Sequence, residues 1–238
     1  MRVPSALLAA AFVTVLTMQV RAQEAHGGHP PMIFWGAGGE IDASDTGWLT
    51  SEEGTLLTWD AYAWIGGDDV KFRLEAEGEA LDGDPENSEL RAFVAWNIGE
   101  FWDLQAGLRH DIEPNDMTWG ALGFHGMAPY FFETDAHVFV SEDGDAALRI
   151  EQSIDLAVTQ DLFLEPHGEL NVFAQDVPEL GVGAGISNVE IGLQLRYELT
   201  RKFAPYVDLV YERDLGETAI MTRAAGERVE QTTLRAGL

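Results

Sequence analysis

From residue 32 onward the apolar side chains alternate with polar ones at a period of two, and no helical stripe at i, i+3, i+4, i+7 persists over three turns. The clearest run is Val70-Lys71-Phe72-Arg73-Leu74-Glu75-Ala76-Glu77, in which every second residue is apolar and every other one charged. Trp102 to Arg109, Phe132 to Val138 and Val189 to Tyr197 repeat it. A strand with this pattern has one face against an apolar medium and the other against water. The pattern predicts an all-β chain of about twelve strands, near 32–42, 55–65, 69–78, 88–98, 101–111, 117–127, 131–141, 146–156, 162–174, 188–199, 203–213 and 229–238.

The connections alternate in character. Tight turns are expected at Gly66-Gly67-Asp68, Gly99-Glu100, Ala128-Pro129-Tyr130, Thr159-Gln160-Asp161 and Thr200-Arg201-Lys202, and longer links at 43–54, 79–87, 112–116, 175–187 and 214–228. The link at 142–145 falls on the long-link side although it is short. An even strand count with short turns and both termini on one rim is the layout of a closed antiparallel outer-membrane β-barrel, whose short turns lie in the periplasm. A soluble sandwich or lipocalin alternates as well, with its charged face outside. Three features favour the membrane barrel. Strands of roughly ten residues, tilted, cover the apolar band of a bilayer. Aromatic residues collect at strand ends as interfacial girdles do: Phe34, Trp35, Trp59, Trp96, Phe101, Trp102, Trp119, Tyr130, Phe131, Phe132, Tyr197, Phe203 and Tyr206. Lys71, Arg73, Arg91, Arg109, Arg149, Arg196 and Arg235 share the polar parity with a larger set of acids that includes Asp60, Glu75, Glu77, Glu89, Glu151, Glu169, Glu190 and Asp208, which predicts a closed lumen lined by both signs with acid in excess.

Residues 1–22 read as a secretory signal peptide, with Arg2 ahead of the apolar stretch Ala6 to Val20 and small residues at Val20 and Ala22 before the cut. A short anchor helix is the weaker reading, because the apolar run is brief. Residues 23–31 form a His-containing periplasmic leader, and 32–238 the barrel. Loss of Arg2 and Arg21, with no acid, takes the formal charge from −27 to −29. Such a charge repels phosphate backbones and excludes nucleic acid as a partner. Zero cysteine excludes disulfides, thiolate metal sites and a thiol nucleophile, which leaves His, Met, Asp and Glu as metal ligands.

Five ordered segments carry a resemblance to a known family: Asp60 to Asp68 (DAYAWIGGD), Phe101 to Arg109 (FWDLQAGLR), Leu122 to Tyr130 (LGFHGMAPY), Glu142-Asp143-Gly144 and Phe203 to Val207 (FAPYV). Together they resemble the copper resistance protein B family. The resemblance covers nearly the whole chain after residue 22. It implies an outer-membrane barrel linked to copper tolerance and to periplasmic copper-handling proteins. Two departures stand out. The Met- and His-rich tract that precedes the barrel in the family shrinks here to His26-Gly27-Gly28-His29-Pro30-Pro31-Met32, and the last strand finishes on Ala236-Gly237-Leu238 where the family has an aromatic.

Thioether suits Cu(I) and imidazole suits either copper oxidation state, so His26, His29 and Met32 make a chemically sensible copper site; a polar leader without metal is the bland alternative. His137 and His167 take the polar parity beside Glu133, Asp135, Glu165 and Glu169 and are candidates for a lumenal metal path, although a salt-bridge network filling the lumen accounts for the same positions. Met117, His125 and Met127 flank the sixth strand as weaker candidates. No nucleophile elbow, zinc-protease helix or phosphate loop is present, and the chain is read as a non-enzyme. The expectation is a monomeric barrel, with outer-membrane lipid and copper ions as partners, that binds or passes copper to limit its toxicity. The alternative is a general small-solute pore or envelope component whose copper specificity resides in partner proteins.

Overall fold

The structure, a computed structural model, describes residues 33–45, 55–200 and 202–238. The expected signal peptide (1–22) and leader (23–31), and with them His26, His29 and Met32, lie outside the described residues. The strands are β1 (Phe34–Asp45), β2 (Thr55–Gly66), β3 (Val70–Leu81), β4 (Asp84–Asn97), β5 (Trp102–Glu113), β6 (Met117–Ala128), β7 (Phe132–Ser141), β8 (Ala146–Ser153), β9 (Leu156–Ala157), β10 (Leu162–Phe173), β11 (Gly185–Tyr197), β12 (Tyr206–Asp214) and β13 (Glu230–Gly237). β8 and the two-residue β9 both pair with β10, so they share one place in the wall and the barrel has twelve staves. Every neighbour is antiparallel. Closure is made by β1 and β13, where Asp42 faces Gly237 and Ala43 faces Ala236. Ile41 and Leu238 extend that seam by exchanging both backbone hydrogen bonds, at 3.3 and 3.1 Å.

Contacts between strands that are not neighbours fix which side is the interior, since only inward side chains can meet across the barrel. Arg149 of β8 reaches Glu89 of β4 at 2.9 Å, and Gln194 of β11 reaches Glu40 of β1 at 3.0 Å. All seven basic residues placed on the polar parity by the sequence therefore face the lumen. The other parity is apolar and faces outward: Phe72, Leu108, Leu122, Val138, Ile191 and Leu209 are each 43–59% exposed in mid-strand. No described helix is long and apolar enough to cross a membrane, so any crossing is made by the strands. Closure suits that role, because an unpaired backbone group in hydrocarbon costs several kcal/mol.

The turns correct three expectations. The link expected over 79–87 is the two-residue turn Asp82-Gly83, both at positive φ (53° and 90°), as the primed hairpin turns that match strand twist require. The eighth strand breaks after Ser153 instead of running to 156. The 214–228 link holds a helix, α1 (Gly216–Ala225), closed at Gly226 in the left-handed conformation, with Glu217 in its first turn and Arg223 in its last, the arrangement the helix dipole favours. The aromatic belts are corrected too. Trp119 and Tyr206, expected at an interface, point into the lumen and are buried. The exposed aromatics gather on the short-turn rim instead, at Phe34, Trp35, Phe101, Tyr130, Phe131, Phe132, Tyr197 and Phe203.

Candidate functional site

The waist of the lumen is built around Glu89, almost wholly buried and held by three arginines. Arg149 grips it with both ends of its guanidinium, Nη1 to Oε1 at 2.9 Å and Nη2 to Oε2 at 3.1 Å. Arg109 adds 2.9 Å to Oε2 and Arg91 3.1 Å to Oε1. Each arginine then spends its remaining donors on further acids. Arg91 meets Glu75 at 3.1 Å, Glu77 at 2.8 Å and Glu151 at 3.3 Å. Arg109 meets Asp111 at 2.6 Å, and Arg149 lies 3.5 Å from Glu169. A buried ion pair offsets its desolvation only when such extra hydrogen bonds complete it, and here β3, β4, β5, β8 and β10 are tied across the lumen in one network. The alternation that put one charged residue at every second position is what delivers these side chains to a single interior face.

Toward the long-link rim the lumen becomes apolar on one side. Phe93, Met117, Trp119, Phe139 and Phe173 form a buried cluster with Val177, which the 174–184 link folds inward as a plug. The Trp119 indole N–H donates to Asp111 at 2.8 Å, joining this cluster to the arginine network. α1 braces the plug. Gly183 N–H donates to Thr218 Oγ1 at 2.9 Å, and Thr218 donates to Ser187 Oγ at 3.1 Å. On the other side, near the seam, Tyr206 donates to Asp42 at 3.0 Å, Thr58 donates to the same carboxylate, and Arg196 pairs with Asp155 at 2.8 Å.

The three lumenal histidines fall in three separate places, and His110, on β5, pairs instead with Thr118 at 3.1 Å. His137 on β7 lies within 2.8 Å of Gln105 Oε1 through its Nε2 and stacks on Phe93 with ring centroids 4.9 Å apart. His167 on β10 points its Nε2 at Asp208 Oδ1, 3.3 Å away, over Gly192, where a Cβ would stand 1.5 Å from that nitrogen. These two share no partner. His125 on β6 brings Nδ1 within 2.9 Å of both oxygens of Asp135, so it is a lumenal imidazole–carboxylate pair that the sequence named only among its weaker candidates. Its parity was ambiguous because β6 is rich in glycine and alanine and alternates poorly. Met117 belongs to the apolar cluster. Among the described residues, no three His, Asp or Glu side chains converge as a metal-binding group.

A closed antiparallel barrel with an apolar outside and an ion-paired inside is a porin-like β-barrel. The solved NanC porin is similar in fold, with a TM-score of 0.55 over 84% of this chain and 97% of that one, at 11% sequence identity. The sequence profile described as "Copper resistance protein B precursor (CopB)" matches residues 44–238, and the chain belongs to that family. It is 40% identical over 192 residues to "Copper resistance protein B homolog" of Pseudomonas syringae pv. tomato, a match covering 80% of this chain and 65% of that protein. It is 39% identical over 191 residues to "Copper resistance protein B" of Escherichia coli, covering 80% and 64%. The chain thus spans about two thirds or slightly less of the length of the curated relatives it matches.

Proposed function

We propose that this chain is a monomeric barrel of the bacterial outer membrane that contributes to copper resistance by binding or passing copper ions, with its short-turn rim toward the periplasm. The observation that carries the reading is an acid-rich lumen inside a barrel of the copper resistance protein B family. An interior lined with excess carboxylate raises the local concentration of cations and disfavours anions. His26, His29 and Met32 would meet copper first, offering imidazole and thioether ahead of β1. His167 beside Asp208 offers a nitrogen and an oxygen donor further in. His137 has its Nε2 engaged by Gln105, so it would contribute through Nδ1 or by giving up that bond. Periplasmic copper-handling proteins would supply or accept the ion. A porin-like fold in this family supports a binding or transport role over an enzymatic one.

The second reading, a small-solute pore with copper specificity held by partner proteins, draws on the arginine network itself, in which the lumenal acids are committed to guanidiniums and do not converge as ligands. Copper tolerance of cells lacking the protein, restored with wild type or with variants, separates the two. The first reading predicts that His26→Ala, His29→Ala and Met32→Ala together lose tolerance to copper but not to zinc, with a further loss from His167→Ala and His137→Ala. Wild-type tolerance in all of them supports the pore.

A further inference from the structure

Buried side-chain atoms that can offer a lone pair yet make no hydrogen bond are few among the described residues: His167 Nε2, Asn188 Oδ1, Gln194 Oε1 and Asp208 Oδ1. Three of the four belong to adjacent positions on β10, β11 and β12. The imidazole of His167 lies over Gly192, its cross-strand partner on β11, and so reaches the strand beyond, where its Nε2 stands 3.3 Å from Asp208 Oδ1. The two atoms are close but not aligned as donor and acceptor, and neither is hydrogen-bonded. Gln194 is the cross-strand partner of Asp208 and follows Gly192 by two positions on the same inward face. Its amide N–H donates to Glu40 at 3.0 Å, which leaves Oε1 as the free end of the amide. No salt bridge among the described residues joins Asp208 to a guanidinium, although Arg235 is its partner on β13. Asp208 and Gln194 are 3% and 5% exposed, and the His167 side chain, at 26%, opens the group to the lumen. Unpaired polar atoms gathered in one buried place carry a desolvation cost that a bound cation would relieve.

We propose that His167 Nε2, Asp208 Oδ1 and Gln194 Oε1 form a lumenal site for one divalent transition-metal ion, preferring Cu(II), with Gly192 as the positioning residue that lets His167 reach it. Two ligands that each bind one small cation at about 2.0–2.2 Å stand about 3.0–3.4 Å apart. The 3.3 Å between His167 and Asp208 fits that spacing, and the missing hydrogen-bond alignment is then expected. The donor set explains why three His, Asp or Glu side chains do not converge here: the third ligand is an amide. One imidazole nitrogen and two oxygens suit Cu(II), which such donors bind more tightly than the other divalent first-row ions, and they include no thioether or thiolate to retain Cu(I). Water fills the remaining positions from the lumenal side of His167. The site rests on the reading of this lumen as one that meets copper, and gives that reading a ligand set and an oxidation state.

The test is Cu(II) binding by the full protein in lipid, followed by pulsed electron paramagnetic resonance, in a background carrying His26→Ala, His29→Ala and Met32→Ala so that the leader does not compete. One Cu(II) per chain is expected, with the nitrogen coupling of a single imidazole. His167→Ala removes that coupling. Asp208→Asn weakens Cu(II) binding by at least about tenfold, the scale on which even outer-shell changes act. Gln194→Leu weakens it by less, because a neutral amide is the poorest donor of the three. Gly192→Ala keeps every ligand but displaces the His167 ring, and should lose the coupling as His167→Ala does while the barrel keeps its far-ultraviolet circular dichroism. His125→Ala leaves binding and coupling unchanged. Zn(II) binds more weakly than Cu(II), and Cu(I) is not retained. No Cu(II) bound in this background, a coupling that survives His167→Ala, or an affinity indifferent to Asp208→Asn and Gln194→Leu overturns the site. An imidazole signal from His167 alongside normal copper tolerance in the leader and His167 variants would sink the resistance reading alone. Lost tolerance in the leader variants with no signal from His167 would sink this site alone.

Discussion

Glu89 has the densest set of partners of any lumenal carboxylate, and its neighbours show what a single charge is worth here. Neutralising it leaves Arg91, Arg109 and Arg149 facing one another in a pocket shielded from water. Removing one member of a buried ion-paired set costs about 3–5 kcal/mol, because the remaining charges lose their compensation. Glu89→Gln should therefore lower the unfolding free energy of the barrel in lipid, measured by urea titration, by that much, and Glu77→Gln, 36% exposed, by much less; equal effects would show that the waist is solvated throughout. At this scale the sequence was informative about facing. Lys71, Arg73, Arg91, Arg109, Arg149, Arg196 and Arg235 are lumenal because parity along a strand is a local property. It was uninformative about partners. Nothing in the sequence says that Glu89 meets Arg149, sixty residues away, because that depends on which staves oppose across the barrel. It also misled for Trp119 and Tyr206, whose aromatic character suggested an interface while the folded strands turn them inside, onto Asp111 and Asp42.

Elements were legible where alternation is strong and obscure where local chemistry overrides it. Eleven of the twelve staves lie where the period-two pattern puts them. The turn at Asp82-Gly83 carries its own signal, an Asp-Gly pair between alternating runs, but the acidic stretch around it reads as a solvated loop. α1 is ten residues, under three turns, so it leaves no periodic stripe to detect, and its role emerges only from what it touches. Thr218 ties it to the plug through Gly183 and Ser187. Replacing Thr218 with Val leaves the Gly183 N–H buried without an acceptor, at a cost of about 1–3 kcal/mol. The 174–184 link should then be cut faster by added protease while the barrel wall stays resistant. Unchanged cleavage would mean that the apolar cluster alone holds the plug.

For the whole molecule, the two-faced strand becomes a two-faced cylinder. Closure of β1 on β13 hides the last backbone edge, and outward Phe72, Leu108, Leu122 and Ile191 need an apolar surrounding as much as the inward acids need water and arginine. That much follows from the pattern and the even strand count. The uneven filling of the interior does not, because it arises when a link between strands folds back into the lumen, and a link carries no period. The measurement that addresses the central claim most directly is tryptophan quenching by bromine-labelled acyl chains in variants that keep one tryptophan each. Trp59, which lies on the outer face over Gly78, should be quenched strongly, and Trp119, hydrogen-bonded to Asp111 inside the barrel, should be untouched. Quenching of Trp119 in place of Trp59, or of neither because the protein stays dispersed in buffer beside the vesicles, would contradict the barrel's orientation of its two faces.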